Sequence, residues 1–551
     1  MKIQKRIAAL LLAALTLVGC TGCAGVSSGT NQNDMEFVST GGKDIERAVQ
    51  ADDVFSLNSN PNYSFNPLIA TNLSNQLICD LVYENMVEVD DSFEVIPNVI
   101  TTWTHSDDCK TWTLNIGEGH VFHDGTPVTA KDLRYSLDRA ITADRYLGRF
   151  ASYQGAYVAN DTQLVVSLGL GDGQFIKLLN IPIIKSGSYG EKYPIGSGPY
   201  TYNEDHTELH AYEGYSTEYA SYGSLPVDVI YIKEYPAQEE IISAFEDAYI
   251  DVTVNDPSSY TNLGFASANE IRSFATTNMH YVAFNEKTLL GRYNVFRYAL
   301  SYAFDRAYLE ELLGGNAAAS PIPMYPTCPS YPQELADCRD NYGVLMLADK
   351  LAYNMDTCKK ILEGAGVLDH DNDGRLEYMS GSIQEIELSF LVCSDSSAKA
   401  GVANRFAEIM DSIGLTVVVN SLPWDDYVEA LQKGEFDMYY GEIKLRNNFD
   451  LTELLDPDNK YDEEKNPNGI NFTGITDQNY VMYLNDYLAA GDVERDYKYN
   501  QFCSYLTENC PIVVIGFEKQ EIITHRGCVK GVDANAGNPL YNFQNWEITL
   551  G

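Results

Sequence analysis

Residues 388–440 read LSFLVCSDSSAKAGVANRFAEIMDSIGLTVVVNSLPWDDYVEALQKGEFDMYY, and strand and helix patterns alternate along them. Leu388–Val392 is an apolar run of strand length, and Ala398–Ile413 carries apolar side chains at helical spacing until Gly414 stops it. Leu415–Val419 is strand-like again, Asp425–Lys433 is helical up to Gly434, and Phe436–Tyr440 completes the series as a strand. Such alternation implies a largely parallel sheet flanked by helices. Open α/β sheets bind ligands beyond the carboxyl ends of their strands, so the segment after Tyr440 is a candidate site on geometry alone.

Upstream, Tyr293–Leu313 places Phe296, Leu300, Ala303 and Phe304 on one face and predicts a single long helix ended by Gly314 and Gly315. Asn75–Met86 predicts another helix, with Leu77, Ile78, Leu81, Val82 and Met86 at helical spacing, whereas Thr111–Ile116 alternates like a half-buried strand. Thr129 stands three residues before Asp132, a capping-box signature that opens a helix near residue 130.

The ends of the chain address location. Lys2, Lys5 and Arg6 precede an uncharged stretch, Ile7–Val18, that runs into Gly19 and Cys20. Basic, apolar and small regions in that order read as a secretory signal over residues 1–19, too short for a bilayer span. Residues 24–50 are rich in Gly, Ser, Thr, Asn and Asp and read as a flexible tether. About 500 residues then remain, more than one core usually serves, so at least two lobes are expected.

The formal net charge of −41 excludes a broad nucleic-acid footprint, which needs clustered Lys and Arg. Eleven cysteines include Cys20 and Cys23. Cys328 with Cys338, or Cys503 with Cys510, could bridge in an oxidising compartment. No Cys-x-x-Cys spacing is present, which argues against structural zinc. No Gly-x-Ser-x-Gly elbow, His-Glu-x-x-His or phosphate-binding Gly-x-x-x-x-Gly-Lys-[Ser/Thr] loop occurs either. His206 and His210 fall in a predicted hairpin, where four residues span roughly 13 Å, too far for a shared metal. Asp369-x-Asp371-x-Asp373-Gly374 matches the first half of an EF-hand loop, yet its twelfth position is Ser380 rather than Glu. A calcium loop and a plain acidic turn are both open readings.

A further series of residues carries a family resemblance. It begins with Asn66-Pro67-Leu68, Leu81–Val87 (LVYENMV), Pro97, Trp103, Trp112–Ile116 and Phe122–Asp132 (FHDGTPVTAKD). It continues with Gly196–Tyr200 (GSGPY), Ala303–Arg306 (AFDR), Gly434–Asp437 (GEFD) and Asn509–Val513 (NCPIV). Together these resemble the family 5 extracellular solute-binding proteins, the dipeptide and oligopeptide binding components of bacterial ABC importers, over about residues 54 to 550. Leu17-Val18-Gly19-Cys20 likewise resembles a lipobox, which implies a lipidated Cys20 anchored at the outer face of the cell membrane.

The resemblance implies an α/β, two-lobed clamshell of the periplasmic-binding-protein type II, peptide-binding cluster. Lobe I would comprise residues 51–72, 190–277 and 508–551, with a subdomain inserted at 73–189, and lobe II residues 278–507; 20–50 would be the lipidated tether. It also implies a monomer without cofactor or catalysis that hands peptides to permease subunits. Alternatives on the same fold are a nickel complex, an oligosaccharide or an opine; a surface hydrolase or sensory receptor is a more distant one.

Peptide-binding relatives carry Gly-Trp-x-x-Asp-Tyr shortly after Gly-x-Phe-Asp, and that Asp pairs with the peptide ammonium. Here Gly441–Asp450 reads GEIKLRNNFD, so the Asp is replaced by Leu445 or Arg446. A cation there repels an ammonium in a partly desolvated cleft. Glu442 or Asp450 is the candidate replacement carboxylate, and Arg446 the cation set against it. Trp424, Tyr440 and the stretch including Asn58 and Asn60 complete the ligand-binding candidates implied by the resemblance.

Overall fold

The computed structural model describes residues 53–215, 225–258, 269–340, 343–379 and 381–550. The signal segment, Cys20, Cys23 and the tether lie outside them. Strand β1 (Phe55–Ser59) is buried along its whole length. Helix α1 (Leu73–Val82) is capped by the Asn72 side chain, which accepts the Asn75 N–H at 3.2 Å. It stops four residues short of the predicted end because Tyr83 turns extended and its hydroxyl donates to the Pro194 carbonyl at 2.8 Å. Helix α2 (Ala130–Ala140) opens as expected, with the Thr129 N–H donating to the Asp132 carboxylate at 3.0 Å.

Strands β2 (Val229–Glu234) and β3 (Val252–Asn255) flank β1, both parallel to it. Then comes β4 (Asn269–Phe284), 16 residues long. The long helix predicted over 293–313 is two helices, α3 (Asn294–Leu300) and α4 (Ala307–Leu312). Arg306 breaks it: its fully buried guanidinium donates to the carbonyls of Val514 at 2.8 Å, Lys350 at 2.9 Å and Ser301 at 3.4 Å. The quoted stretch folds as read, into β5 (Glu387–Cys393), α5 (Ser397–Asp411), β6 (Thr416–Leu422), α6 (Trp424–Lys433) and β7 (Met438–Lys444). Helix α7 (Arg495–Asn509) and strand β8 (Ile512–His525) follow.

These strands form one 11-stranded sheet in the order β6-β5-β7-β4-β8-β3-β1-β2, extended by the hairpin of Glu208–Ala211 and Tyr200–Tyr202. The short strand Ala317–Ala319 also pairs with β8. The sheet is mixed rather than largely parallel. β5 runs parallel to β6 and β7, but β4 and β8 are antiparallel to each other and to β7 and β3. A separate four-stranded antiparallel sheet, made of residues 100–105, 111–116, 163–168 and 153–160, packs with α2 beside the first half.

The apolar core divides where β4 and β8 pass from one half of the sheet to the other. One cluster gathers residues from Phe55 to Phe274 and again from Ile522 to Trp546. Two others gather chiefly residues from Ala275 to Phe517. The β4–β8 register shifts at the same place, between Ala275 and Met279. Two lobes joined by two continuous strands is the geometry of a hinged clamshell.

The motifs that carry the resemblance pack on each other: the His123 ring nitrogen meets the Gly198 carbonyl at 3.0 Å, and the His123 N–H donates to the Gly196 carbonyl at 2.9 Å. His206 stacks on Tyr193 at 3.9 Å while His210 meets Glu208 at 2.7 Å, so the two histidines share no site. Cys503 and Cys510 do not bridge: one lies inside α7, the other caps it, and both are free and buried. Cys328 is also free and buried, and the Cys338 side chain lies outside the described set. Among the described residues no helix is long and apolar enough to cross a membrane.

Candidate functional site

A cavity of about 570 Å³ opens at the junction of the lobes. Its walls come from one side of α1, the loop at 144–149, the crossing segment 274–278, the start of α5 and the carboxyl end of β7. That last wall is the place the strand–helix alternation indicated. The volume falls within the range of ligand pockets.

Charge in the cavity is distributed unevenly. Residues 442 and 444 are two apart on β7 and share a face. Glu442 is neutralised by Lys399 of α5, Oε2 to Nζ 2.6 Å, with both side chains about 8% exposed. Burial opposes ionisation of both, yet their attraction outweighs it, holding Glu442 below and Lys399 above their ordinary values.

Behind this pair lie His280 and Glu518, both fully buried and 3.4 Å apart. Burial pushes the His280 imidazole down to about 4, which keeps the ring neutral. Burial and the Glu442 charge push the Glu518 carboxyl up, and it accepts hydrogen bonds from Asn278 and Ser258. Donor atoms of His280, Glu442 and Glu518 lie within 4.8 Å of one another, as a metal would require, but the Lys399 ammonium already supplies the cation there.

Lys444 differs. Its side chain is open to water inside the cavity yet enclosed by protein, and no hydrogen bond or ion pair reaches its ammonium among the described residues. Burial and the neighbouring Arg145 and Arg149 push its pKa down to about 8. Arg145 donates to the Pro67 carbonyl at 2.7 Å and Arg149 to the Asn180 carbonyl at 3.1 Å; neither has a carboxylate partner among the described residues. Arg446 is matched twice, by Asp450 and by Glu453. The loop bearing Arg145 and Arg149 touches that pair, since a Cβ on Gly148 (φ +75°) would lie 3.0 Å from the Arg446 guanidinium.

Six carboxylates among the described residues line the cavity; Glu442 and Glu453 are paired with Lys399 and Arg446, and of the rest Asp80 and Asp256 lie deepest in protein. Burial pushes Asp80 well above its ordinary value, partly offset by Arg145, and no hydrogen bond or ion pair engages it among the described residues. Asp256 is pushed to about 7 by burial and by Glu518, and it accepts the Ser258 N–H at 3.0 Å.

Of the sequence-predicted site residues, Glu442 and Arg446 line the cavity. Asp450 is spent on Arg446 and on the Thr452 N–H, at 2.9 Å. Tyr440 is buried behind the wall, its hydroxyl 3.2 Å from His280. Trp424 stacks on Tyr427 outside the lining. Asn58 bonds Ser74 and the Tyr235 N–H, and Asn60 bonds Asn75 and the Pro236 carbonyl, so both serve the frame of lobe I. Sequence reading missed Asp80, Arg145, Arg149 and Lys399. The one available signal was Asp144–Arg149 (DRYLGR), two arginines close together in a chain where Asp and Glu number 78 against 37 Lys and Arg.

A clamshell with a charge-lined cavity between its lobes defines a solute-binding protein. The chain belongs to the bacterial extracellular solute-binding proteins, family 5 Middle, whose family model matches residues 94–461. That family is one of binding proteins, not of enzymes. The oligopeptide-binding protein AppA of Bacillus subtilis (strain 168) is 20% identical over 506 residues, covering 88% of this chain and 89% of that one. Among solved structures, AppA from Bacillus subtilis in complex with a nonapeptide aligns with a TM-score of 0.59 at 20% identity, covering 91% of this chain and all of that one. NikZ from Campylobacter jejuni in complex with Ni(L-His) aligns with a TM-score of 0.62 at 17% identity, again covering 91% of this chain and all of that one.

Proposed function

We propose that this protein is the capture component of an ABC importer for peptide-class solutes, a monomer held outside the cell membrane by lipid on Cys20 and catalysing no reaction. The observation that carries the reading is the trio Arg145, Arg149 and Lys444: cations enclosed between the lobes without a carboxylate partner among the described residues. A solute carboxylate supplies the counter-charge and draws the lobes together about β4 and β8. Asp80 and Asp256 are available to an ammonium on the same solute. The carboxylate end thus lies along Lys444, the reverse of the ammonium anchor expected from the resemblance. The relatives' names, an oligopeptide-binding protein and a nonapeptide complex, support the peptide class.

The test is calorimetry and thermal unfolding of the purified protein with di- to octapeptides carrying free ends, an amidated carboxyl terminus or an acetylated amino terminus. The expected result is a stabilising peptide whose affinity falls at least about thirtyfold on amidation, as loss of one partner of an enclosed charge pair implies. Equal binding of amidated peptides overturns the orientation. Stabilisation by oligosaccharides or Ni(L-His) alone overturns the peptide class.

A further inference from the structure

Outside the cavity lining, the acidic turn of lobe II brings a fourth carboxylate to its motif. Asp369, Asp371, Asp373 and Glu377 each bring a carboxylate oxygen to within 4.8 Å of the others. The three aspartates are exposed, but Glu377 is fully buried. One Glu377 oxygen accepts the His370 N–H at 2.6 Å. The other, Oε1, is buried and has no hydrogen-bond partner among the described residues. A buried, unpartnered carboxylate oxygen is expensive unless something meets it. None of the four side chains forms an ion pair among the described residues, so no Lys or Arg plays that part.

The backbone is shaped for a cation as well. Asn372 (φ +64°) and Gly374 (φ +92°) turn the chain sharply. The Asp373 N–H donates to Asp369 and Asp371 at 3.1 Å, and the Gly374 N–H to Asp369 at 3.0 Å. Counting from Asp369, carboxylates occupy positions one, three and five and glycine position six of an EF-hand-like loop. Glu377 falls at position nine, so the chain closes the shell earlier than a standard loop, in which a glutamate at position twelve would do so. The His370 ring is engaged elsewhere, 3.3 Å from the Gly366 carbonyl.

We propose that Asp369, Asp371, Asp373 and Glu377 form a calcium site. An all-oxygen set on a short loop suits Ca²⁺, whereas zinc prefers nitrogen and sulfur and Mg²⁺ keeps most of its water. The ion ties the excursion between Met355 and Glu385 to the body of lobe II. The loop already touches that body: the Leu376 N–H donates to the Gly414 carbonyl at 2.8 Å and Arg375 pairs with Asp411 at 2.7 Å. Calcium here is structural, and its site is separate from the solute cavity.

The experiment is calorimetric titration of chelator-treated, purified protein with CaCl₂, with MgCl₂ as control. The expected result is one saturable site with a dissociation constant of about 10⁻⁴–10⁻³ M, the range of extracellular calcium modules. Magnesium should not reproduce it. Asp371→Ala, an exposed change that removes the ligand oxygen altogether, and Glu377→Gln should each weaken binding at least about tenfold, the equivalent of 1.4 kcal/mol. Absence of a saturable isotherm, or wild-type affinity in Asp371→Ala, overturns the site. If Glu377→Gln fails to fold, Asp371→Ala decides alone.

Discussion

Glu442 and Lys444 stand two residues apart on one strand, face one cavity, and have opposite fates. Glu442 has its counter-ion within the protein, in Lys399, whereas Lys444 is enclosed with two arginines and has none among the described residues. A buried charge that is already matched holds two elements in place, here β7 and α5. An unmatched charge that still meets water, as Lys444 does, holds no elements together and keeps its attraction for a ligand of opposite charge. The cavity therefore separates into a part that keeps its shape and a part that recognises.

The largest effect expected from this contrast is on stability. Glu442→Ala leaves Lys399 buried without a partner and should destabilise the fold by about 3–5 kcal/mol in denaturant unfolding, as broken buried pairs do. Lys399→Met combined with Glu442→Gln should recover much of that loss. A negligible effect of Glu442→Ala would put the pair on the recognition side.

Lys444→Met should do the opposite. Solute affinity falls, though by less than a fully desolvated pair would lose, because the Lys444 side chain is open to water, while stability stays equal or rises because repulsion from Arg145 and Arg149 is relieved. The lysine pKa is lower folded, about 8, than its ordinary 10.5, so the folded state loses its proton first as pH rises. Wild-type stability therefore climbs between those values, and the variant's advantage shrinks across the same window. Affinity for a carboxylate solute declines above pH 8 in wild type and not in the variant, which titrations at several pH values would measure.

Glu518 lies behind the Glu442–Lys399 pair. Its carboxyl is pushed up from an ordinary 4.5 by burial and by Glu442, so the folded state keeps a proton the unfolded chain has lost. Stability then falls as pH rises through that interval. Glu518→Gln should remove this loss: the two proteins converge near pH 4.5, and the variant is the more stable of the two at pH 8. Parallel pH profiles would show that Glu518 is ionised throughout.

Legibility in the sequence tracked distance along the chain. The β5–β7 series was readable because each element carries its own periodicity and stop signal, Gly414 and Gly434 among them. The α3–α4 break was not, since it depends on Arg306 meeting Val514, over 200 residues away. The mixed sheet escaped for the same reason: β4 and β8 pair across the whole second lobe. Strand-end geometry pointed to the segment after Tyr440 and the family resemblance singled out Glu442 and Arg446 within it, but a side chain's partner decides whether it is free to bind. Asp450 had the right chemistry and is consumed by Arg446, while Arg145 and Arg149 come from a loop in the first half of the chain that no local pattern links to β7.

Trp424 gives the smallest expected effect and the finest test of where recognition ends. Family resemblance points its ring at the ligand, whereas the structure stacks it on Tyr427 at 6.0 Å between centroids, and the Tyr427 hydroxyl in turn donates to the Tyr440 carbonyl at 2.7 Å. That chain of contacts supports β7 from outside the cavity. Trp424→Phe keeps an aromatic face for Tyr427 and should change solute affinity by less than about 0.5 kcal/mol, the scatter expected of substitutions away from a site. A loss as large as that of Lys444→Met would move the boundary of the binding surface onto α6 and make the aromatic ring, rather than the unpaired cations, the feature that selects the solute.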